Sequence, residues 1–121
     1  MRIEENDAFD IKFFENVIQN NPRDIEALEL LGGLYSKYHI SKQALRIDRK
    51  LSRIRPQDAR IRYNLACSLS LLGRKKDAVA SLEKALELGY DDFNWLLQDP
   101  DLNNLKGYDR FEQLLSQQTI A

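Results

Sequence analysis

The chain of 121 residues contains one histidine, His39, and one cysteine, Cys67. A typical zinc site needs several such ligands, and nucleophilic catalysis needs a base beside its nucleophile. This inventory supplies neither. His39 falls in a turn between two helical stretches, with no serine or cysteine at a nucleophile-like spacing, and reads as a solvated turn residue. Cys67 lies mid-helix beside Ala66 and reads as a small apolar filler rather than a reactive thiol. Gly32-Gly33 also falls mid-helix, so it is a packing feature and not a phosphate loop. The segment DPDLNNLKGYDR alternates Asp99, Asp101 and Asn103 as a calcium loop does. Its sixth position, however, is Asn104, where the sharp turn needs glycine, and its twelfth is Arg110, where a bidentate glutamate is needed. It reads as a turn with helix caps. No catalytic residue, metal or cofactor is expected, and the chain reads as a non-enzyme.

Charge is the next chemistry. The total nearly cancels, 18 Lys+Arg against 19 Asp+Glu, but the distribution does not. Residues 1–36 carry 3 basic and 8 acidic side chains, residues 37–76 carry 12 and 2, and residues 77–121 carry 3 and 9. Lys42, Arg46, Arg49, Lys50 and Arg53 fall on one helical stretch, and the 46/49/50/53 spacing sets four cations on one face. Such a patch suits an anionic partner: an acidic protein segment, a phosphate or a nucleic acid. Nucleic acid is disfavoured by a pI of about 5.8 and by poor aromatic interleaving, Tyr63 alone lying near. The competing reading is a solvated outer helix face.

These residues must be held by something. Hydrophobic residues make up 43% of the chain, with three prolines and five glycines, which excludes a disordered, collagenous or low-complexity chain. The length suits one domain. A single cysteine rules out an internal disulfide framework and fits a reducing, cytoplasmic setting. The start MRIEENDAFD has no apolar core of a signal peptide. The longest uncharged run, Tyr63 to Gly73, is 11 residues, against the roughly 20 that a membrane span needs. No membrane partner is expected.

The apolar spacing is helical throughout. Leu65, Leu69 and Leu72 follow a 3–4 pattern, as do Ala78, Leu82, Ala85 and Leu86, with Gly73 between the two runs. Ser41 reads as the N-cap of the run Ala44, Leu45, Leu51, Ile54. Phe9, Phe13, Phe14, Val17 and Ile18 predict one more amphipathic helix upstream. Asp92–Leu97 and Tyr108–Leu115 predict two shorter ones downstream, about seven helices in all. Pro22 and Pro56 stand 34 residues apart, and at that offset Leu31 meets Leu65, Gly32 meets Ala66, Ala44 meets Ala78 and Leu45 meets Val79. The fold expected is all-α, two antiparallel helices per repeat.

A 34-residue helix–turn–helix with Leu31-Gly32, Tyr35, Ala44 and Pro56, then Gly73, Ala78, Leu82 and Ala85, resembles the tetratricopeptide repeat. The resemblance covers residues 8–97, and the tail to Phe111 is similar to the end segment of small bacterial proteins of that family. It implies a right-handed superhelix of helix pairs in one domain, 1–121. Its parts are a half repeat (8–22), repeats at 25–58 and 59–90, and a degenerate capping segment (91–121). Three positions depart from the pattern: Asp48 replaces a large apolar residue, Leu51 a small one, and Tyr90 the closing proline.

The resemblance further implies a groove lined by the first helix of each repeat. Glu26, Glu29, Gly33 and Ser36 would line it from the first repeat, and Arg60, Tyr63, Asn64, Cys67 and Ser70 from the second, with Asn94 extending it. Asn64 matches one asparagine of the carboxylate clamp known in this family. Glu29, Gly33, Asn94 and Gln98 stand where its other cations and amide would be needed, so a clamp is not expected. The function implied is a non-catalytic adaptor that holds an unidentified peptide or protein segment in that groove. Two alternatives stand beside it: self-association into a homo-oligomer or scaffold, motivated by the phenylalanines of 9–14, and anionic-ligand or nucleic-acid binding by the basic 42–62 face.

Overall fold

The computed structural model describes residues 2–120; the first and last residues, the outer bounds of the expected domain, lie outside the described residues. The elements are α1 (Glu5–Asn20), α2 (Ile25–Lys37), α3 (Ser41–Ile54), α4 (Ala59–Leu71), α5 (Lys75–Glu87), α6 (Phe93–Gln98), a three-ten helix (Pro100–Leu105) and α7 (Asp109–Ile120). Among the described residues there is no strand. The all-α expectation holds.

The 34-residue period is written into the helix ends. Asp24, Asp58 and Asp92 stand at that interval, and each accepts the backbone N–H three residues on: Ala27 at 3.0 Å, Ile61 at 3.1 Å and Trp95 at 3.1 Å. Each thereby satisfies one of the donors a helix start leaves open. The partner helices α3, α5 and α7 begin at Ser41, Lys75 and Asp109, again 34 apart. Two residues before each start, the backbone turns left-handed, at His39 (φ 57), Gly73 (φ 75) and Gly107 (φ 83). The segment after residue 91 is therefore a third repeat in register, its first helix broken at Asp99–Pro100.

The left-handed residue closes each first helix. Gly73 N–H donates to the Ser70 carbonyl at 2.9 Å and Arg74 N–H to that of Leu69 at 2.9 Å; His39 and Ile40 donate likewise to Ser36 and Tyr35. Because Ile40 serves both this cap and the next helix, α3 starts without a side-chain cap, and Ser41, expected to cap, is its first residue. His39 is exposed, as expected, but holds a conformation in which a side chain crowds the backbone. His39→Gly is expected to stabilise the fold by about 1 kcal/mol, because the strain removed exceeds the added chain entropy. A melting temperature that does not rise would contradict it.

The chain divides into two compact units, one up to Pro56 and one from Gln57 onward. In the first, α2 packs on α1 and α3, burying Leu28, Leu31 and Tyr35 of α2 and Ala44, Ile47 and Leu51 of α3. Gly32 is the point of closest approach: a Cβ there would lie 3.1 Å from Ile47 Cγ2. Asp48 is buried beside it, and the Tyr35 hydroxyl donates to Glu15. No residue of α1 is fully buried. Polar bonds hold that helix: Tyr35 to Glu15, Tyr38 to Asp7, and Lys37 Nζ to Asp7 at 2.8 Å. Lys37 first, with Tyr38, keeps the Asp7 carboxyl below the usual range.

In the second unit, α4 and α5 form the core, with Ala66, Ala78, Leu82 and Ala85 fully inaccessible. Small residues at 66, 78 and 85 let the two backbones approach, as their spacing predicts. Ser81 Oγ donates to the Arg62 carbonyl at 2.7 Å, tying α5 to α4. The three-ten helix packs on α4, and α7 on α5, so that Leu102, Leu105, Phe111 and Leu114 complete the core.

Candidate functional site

Two surfaces come from the first helices. On α2, Glu26, Leu30, Gly33 and Lys37 follow one another at steps of three and four and are all exposed, with Ser36 beside them. Leu30 is 47% exposed, an apolar side chain in the middle of a polar strip. A Cβ added at Gly33 meets nothing within 4 Å, so the helix backbone is open to close approach there. Gly33 is thus not an internal packing position; Gly32 alone is. Glu29 is half-buried. Of the expected residues in the first unit, Glu26, Gly33 and Ser36 lie on the open surface, and Leu30 joins them. Its exposure could have been found from the i, i+4, i+7 step that Glu26, Leu30 and Gly33 share.

On α4 the pattern differs. Arg60 and Asn64 are exposed, but Tyr63, Cys67 and Ser70, three residues on one face, are buried. Their expected place on an open face is corrected by a polar knot that the tail builds over them. Tyr63 Oη donates to Asp99 Oδ2 at 2.5 Å, and Cys67 Sγ lies 3.6 Å from the same oxygen. Asp99 Oδ1 accepts the Asp101 N–H at 3.0 Å, capping the three-ten helix. Asn104 Nδ2 donates to the Ser70 carbonyl at 2.8 Å. Tyr90, standing where the resemblance puts proline, stacks on Tyr63 with ring centroids 4.2 Å apart and planes within 2°. A proline there would also remove the N–H that Tyr90 donates to the Ala85 carbonyl at 2.9 Å. Asn94 is exposed on α6.

The knot is chemically quiet. Cys67, Asp99 and Asp101 bring one ligand atom each within 4.8 Å of one another. A metal would need the thiolate, yet burial first, and then the charge of Asp99, pushes the thiol well above its ordinary value. The Asp99 oxygens already accept from Tyr63 and Asp101. The three donors therefore form a hydrogen-bonded cluster unsuited to a cation. Burial also raises the Tyr63 phenol, with the bond to Asp99 adding to it. Cys67 is expected to resist thiol reagents at neutral pH in the folded protein and to react at full rate in denaturant. Stoichiometric labelling of the native chain within seconds would disprove this burial.

The basic residues lie on α3, where Lys42, Arg46 and Arg53 are exposed and Arg49 and Lys50 half-buried. The acidic runs at the ends contribute to ion pairs of Lys37 with Asp7 and of Arg110 with Glu83.

No protein-family model matches the chain. Among solved structures, a MamA double mutant (RS-1 ArsTM) superposes with a TM-score of 0.67 at 18% identity, covering 97% of this chain and 70% of its own. A second MamA crystal structure gives 0.63 at 19% identity, covering 83% of this chain and 63% of its own. The fold is tetratricopeptide-like. Among curated proteins, the peroxisomal targeting signal receptor of Candida glabrata is 28% identical over 108 residues, which is 88% of this chain and 18% of the receptor. A chloroplastic protein of Arabidopsis thaliana is 40% identical over 63 residues, 51% of this chain and 19% of that protein. The chain thus spans about a fifth of the curated relatives it matches. No helix among the described residues is long and apolar enough to cross a membrane.

Proposed function

We propose that this chain is a non-catalytic interaction module that holds a peptide or protein segment on the exposed face of α2. The observation that carries this is the α2 strip, where Leu30 offers an apolar anchor between Glu26 and Lys37 and Gly33 leaves the backbone open to a ligand. In the second unit, Arg60 and Asn64 on α4 and Asn94 on α6 are exposed as well. Charge on such a strip sets orientation and partner choice more than affinity. A receptor named for a targeting signal, similar over most of this chain, supports a polypeptide as ligand. The absence of a nucleophile–base pair and the quiet state of Cys67 support a role without catalysis. A lone buried thiol suits a reducing compartment such as the cytoplasm as the place of work.

The test is a crosslinking capture from the native organism, followed by direct titration of the captured segment. The folded variant Leu30→Asp is expected to bind it at least about tenfold more weakly. Equal binding by wild type and variant would refute the reading. The basic face of α3 gives a second reading, since none of its five cations makes an ion pair among the described residues. That face would take an acidic ligand, and its binding would fall steeply with salt.

A further inference from the structure

We infer that the basic face of α3 docks an acidic polypeptide segment, at a site separate from the strip on α2. This rests on the second reading above and names the partner of that face. Lys42, Arg46, Arg49, Lys50 and Arg53 run along α3 as one stripe, with Lys42, Arg46 and Arg53 exposed. The charged neighbours of each cation at three and four residues are cations. Lys42 and Arg46, Arg46 and Lys50, and Arg49 and Arg53 each stand four apart, a spacing at which like charges destabilise a helix. The one acid of α3, Asp48, is buried.

The fold does not ask for these charges. The helix in the same register one repeat later is α5, and there Arg49 and Arg53 correspond to Glu83 and Glu87, while Lys50 corresponds to Lys84. The signs on α5 are mixed and paired. Lys84 Nζ lies 3.9 Å from Glu87 Oε2, and Arg110 Nη2 lies 3.1 Å from Glu83 Oε1. None of the five cations of α3 makes an ion pair among the described residues. A solvated face at this place in the repeat can therefore carry both signs, and α3 carries one. Its self-repulsion is relieved when a polyanion lies along it.

The make-up of the face selects among polyanions. Single-stranded nucleic acid needs rings on which its bases stack, and α3 contains no aromatic residue. A membrane surface needs an apolar side to insert, and the exposed residues of α3, Lys42, Gln43, Arg46 and Arg53, are all polar. The stripe is also short. From residue 42 to residue 53 it spans about 16 Å at the helical rise. An extended segment of about six residues covers that length and sets alternate carboxylates on the side facing the helix. A longer polyanion would also meet α1 of the same unit, which carries Glu5, Asp7, Asp10 and Glu15. A short run of Asp and Glu fits the length and the charge, with Arg as a fork donor to each carboxylate.

The experiment titrates the full chain with a fluorescent oligo-glutamate peptide of about ten residues, and with a single-stranded RNA of equal charge, at low and at physiological salt. Wild type is expected to bind the peptide more tightly than the RNA, and more weakly as salt rises. Arg46→Glu with Arg53→Glu is expected to bind the peptide at least about tenfold more weakly. That variant replaces like-charge neighbours by opposite ones, so it should melt no lower than wild type. Lys75→Glu with Lys76→Glu, two exposed cations of α5, changes the net charge equally and is expected to bind as wild type does. Leu30→Asp on α2 is expected to keep peptide binding too. Equal loss in the α3 and α5 variants overturns the inference, because net charge and not the stripe would then attract the peptide. Loss in Leu30→Asp overturns it by placing the peptide on α2. RNA bound more tightly than the peptide, and lost in the α3 variant, overturns the polypeptide assignment while the anionic reading of the face stands. Failure of both probes to bind at low salt overturns both.

Discussion

Leu105→Ala is expected to lower the stability of the second unit by about 2–5 kcal/mol. Leu105 sits in the three-ten helix, in the part of the chain that departs furthest from a regular repeat, yet it is fully inaccessible. The helix that carries it packs on α4, so the lost side chain leaves a hole in the common core rather than a frayed end. The loss is a large share of the roughly 5–15 kcal/mol that holds a small protein folded. Trp95, the one tryptophan, lies in α6 just upstream and reports this unit alone. Its fluorescence should show one urea transition, moved to lower denaturant without a change in slope. Leu71→Ala serves as control: at 37% exposed it should shift the midpoint little. An unchanged midpoint for Leu105→Ala would mean that the tail is peeled off before the core unfolds.

Much of the fold was legible because it is local. Helix spacing, the offset between Pro22 and Pro56 and the small residues at 66, 78 and 85 were enough to place α2 to α5. A sharper signal ran through the same sequence: Asp24, Asp58 and Asp92 repeat the caps, and His39, Gly73 and Gly107 repeat the left-handed turns. Those two series put α6 and α7 in register as a third repeat, though Ala44 and Ala78 give way there to Glu112. They are readable without a structure because a cap and a left-handed turn each constrain one residue type at one position.

The candidate site was less legible because it depends on where the tail goes. The resemblance grouped Tyr63, Cys67 and Ser70 on α4, and they do share one face of it. Nothing local says that Asp99, 36 residues on from Tyr63, lies on that face and closes it. The same holds for Tyr90: its departure from proline marked an oddity, and the stack on Tyr63 is its cause. Tyr35 and Glu15, 20 residues apart, are a further example. On α2, by contrast, the open strip follows from helical geometry once Leu30 is counted with its polar neighbours.

Asp99→Ala should be a costly polar substitution, because it breaks two contacts at once. The carboxylate is 5% exposed and serves two ends: Oδ2 takes the Tyr63 hydroxyl and Oδ1 caps the three-ten helix. Removing it leaves a buried phenol without an acceptor, worth about 1–3 kcal/mol, and loses a cap worth about 0.5–2 kcal/mol. Tyr63→Phe removes only the donor and leaves Asp99 with its cap and with Cys67 beside it, so it should cost less, about 1 kcal/mol. The double variant should cost less than the two single losses added together, because the phenol–carboxylate bond can be lost only once. Strict additivity would mean that the two residues act independently. The same bond sets an alkaline limit. Burial and Asp99 raise the Tyr63 phenol above its ordinary value, so the folded state prefers the neutral ring. That preference is fully present below the unfolded phenol's value of about 10 and is lost as pH climbs beyond it. Wild type should therefore unfold in base earlier than Tyr63→Phe does relative to its own neutral stability. The phenolate absorbance of Tyr63 should appear with unfolding and not ahead of it.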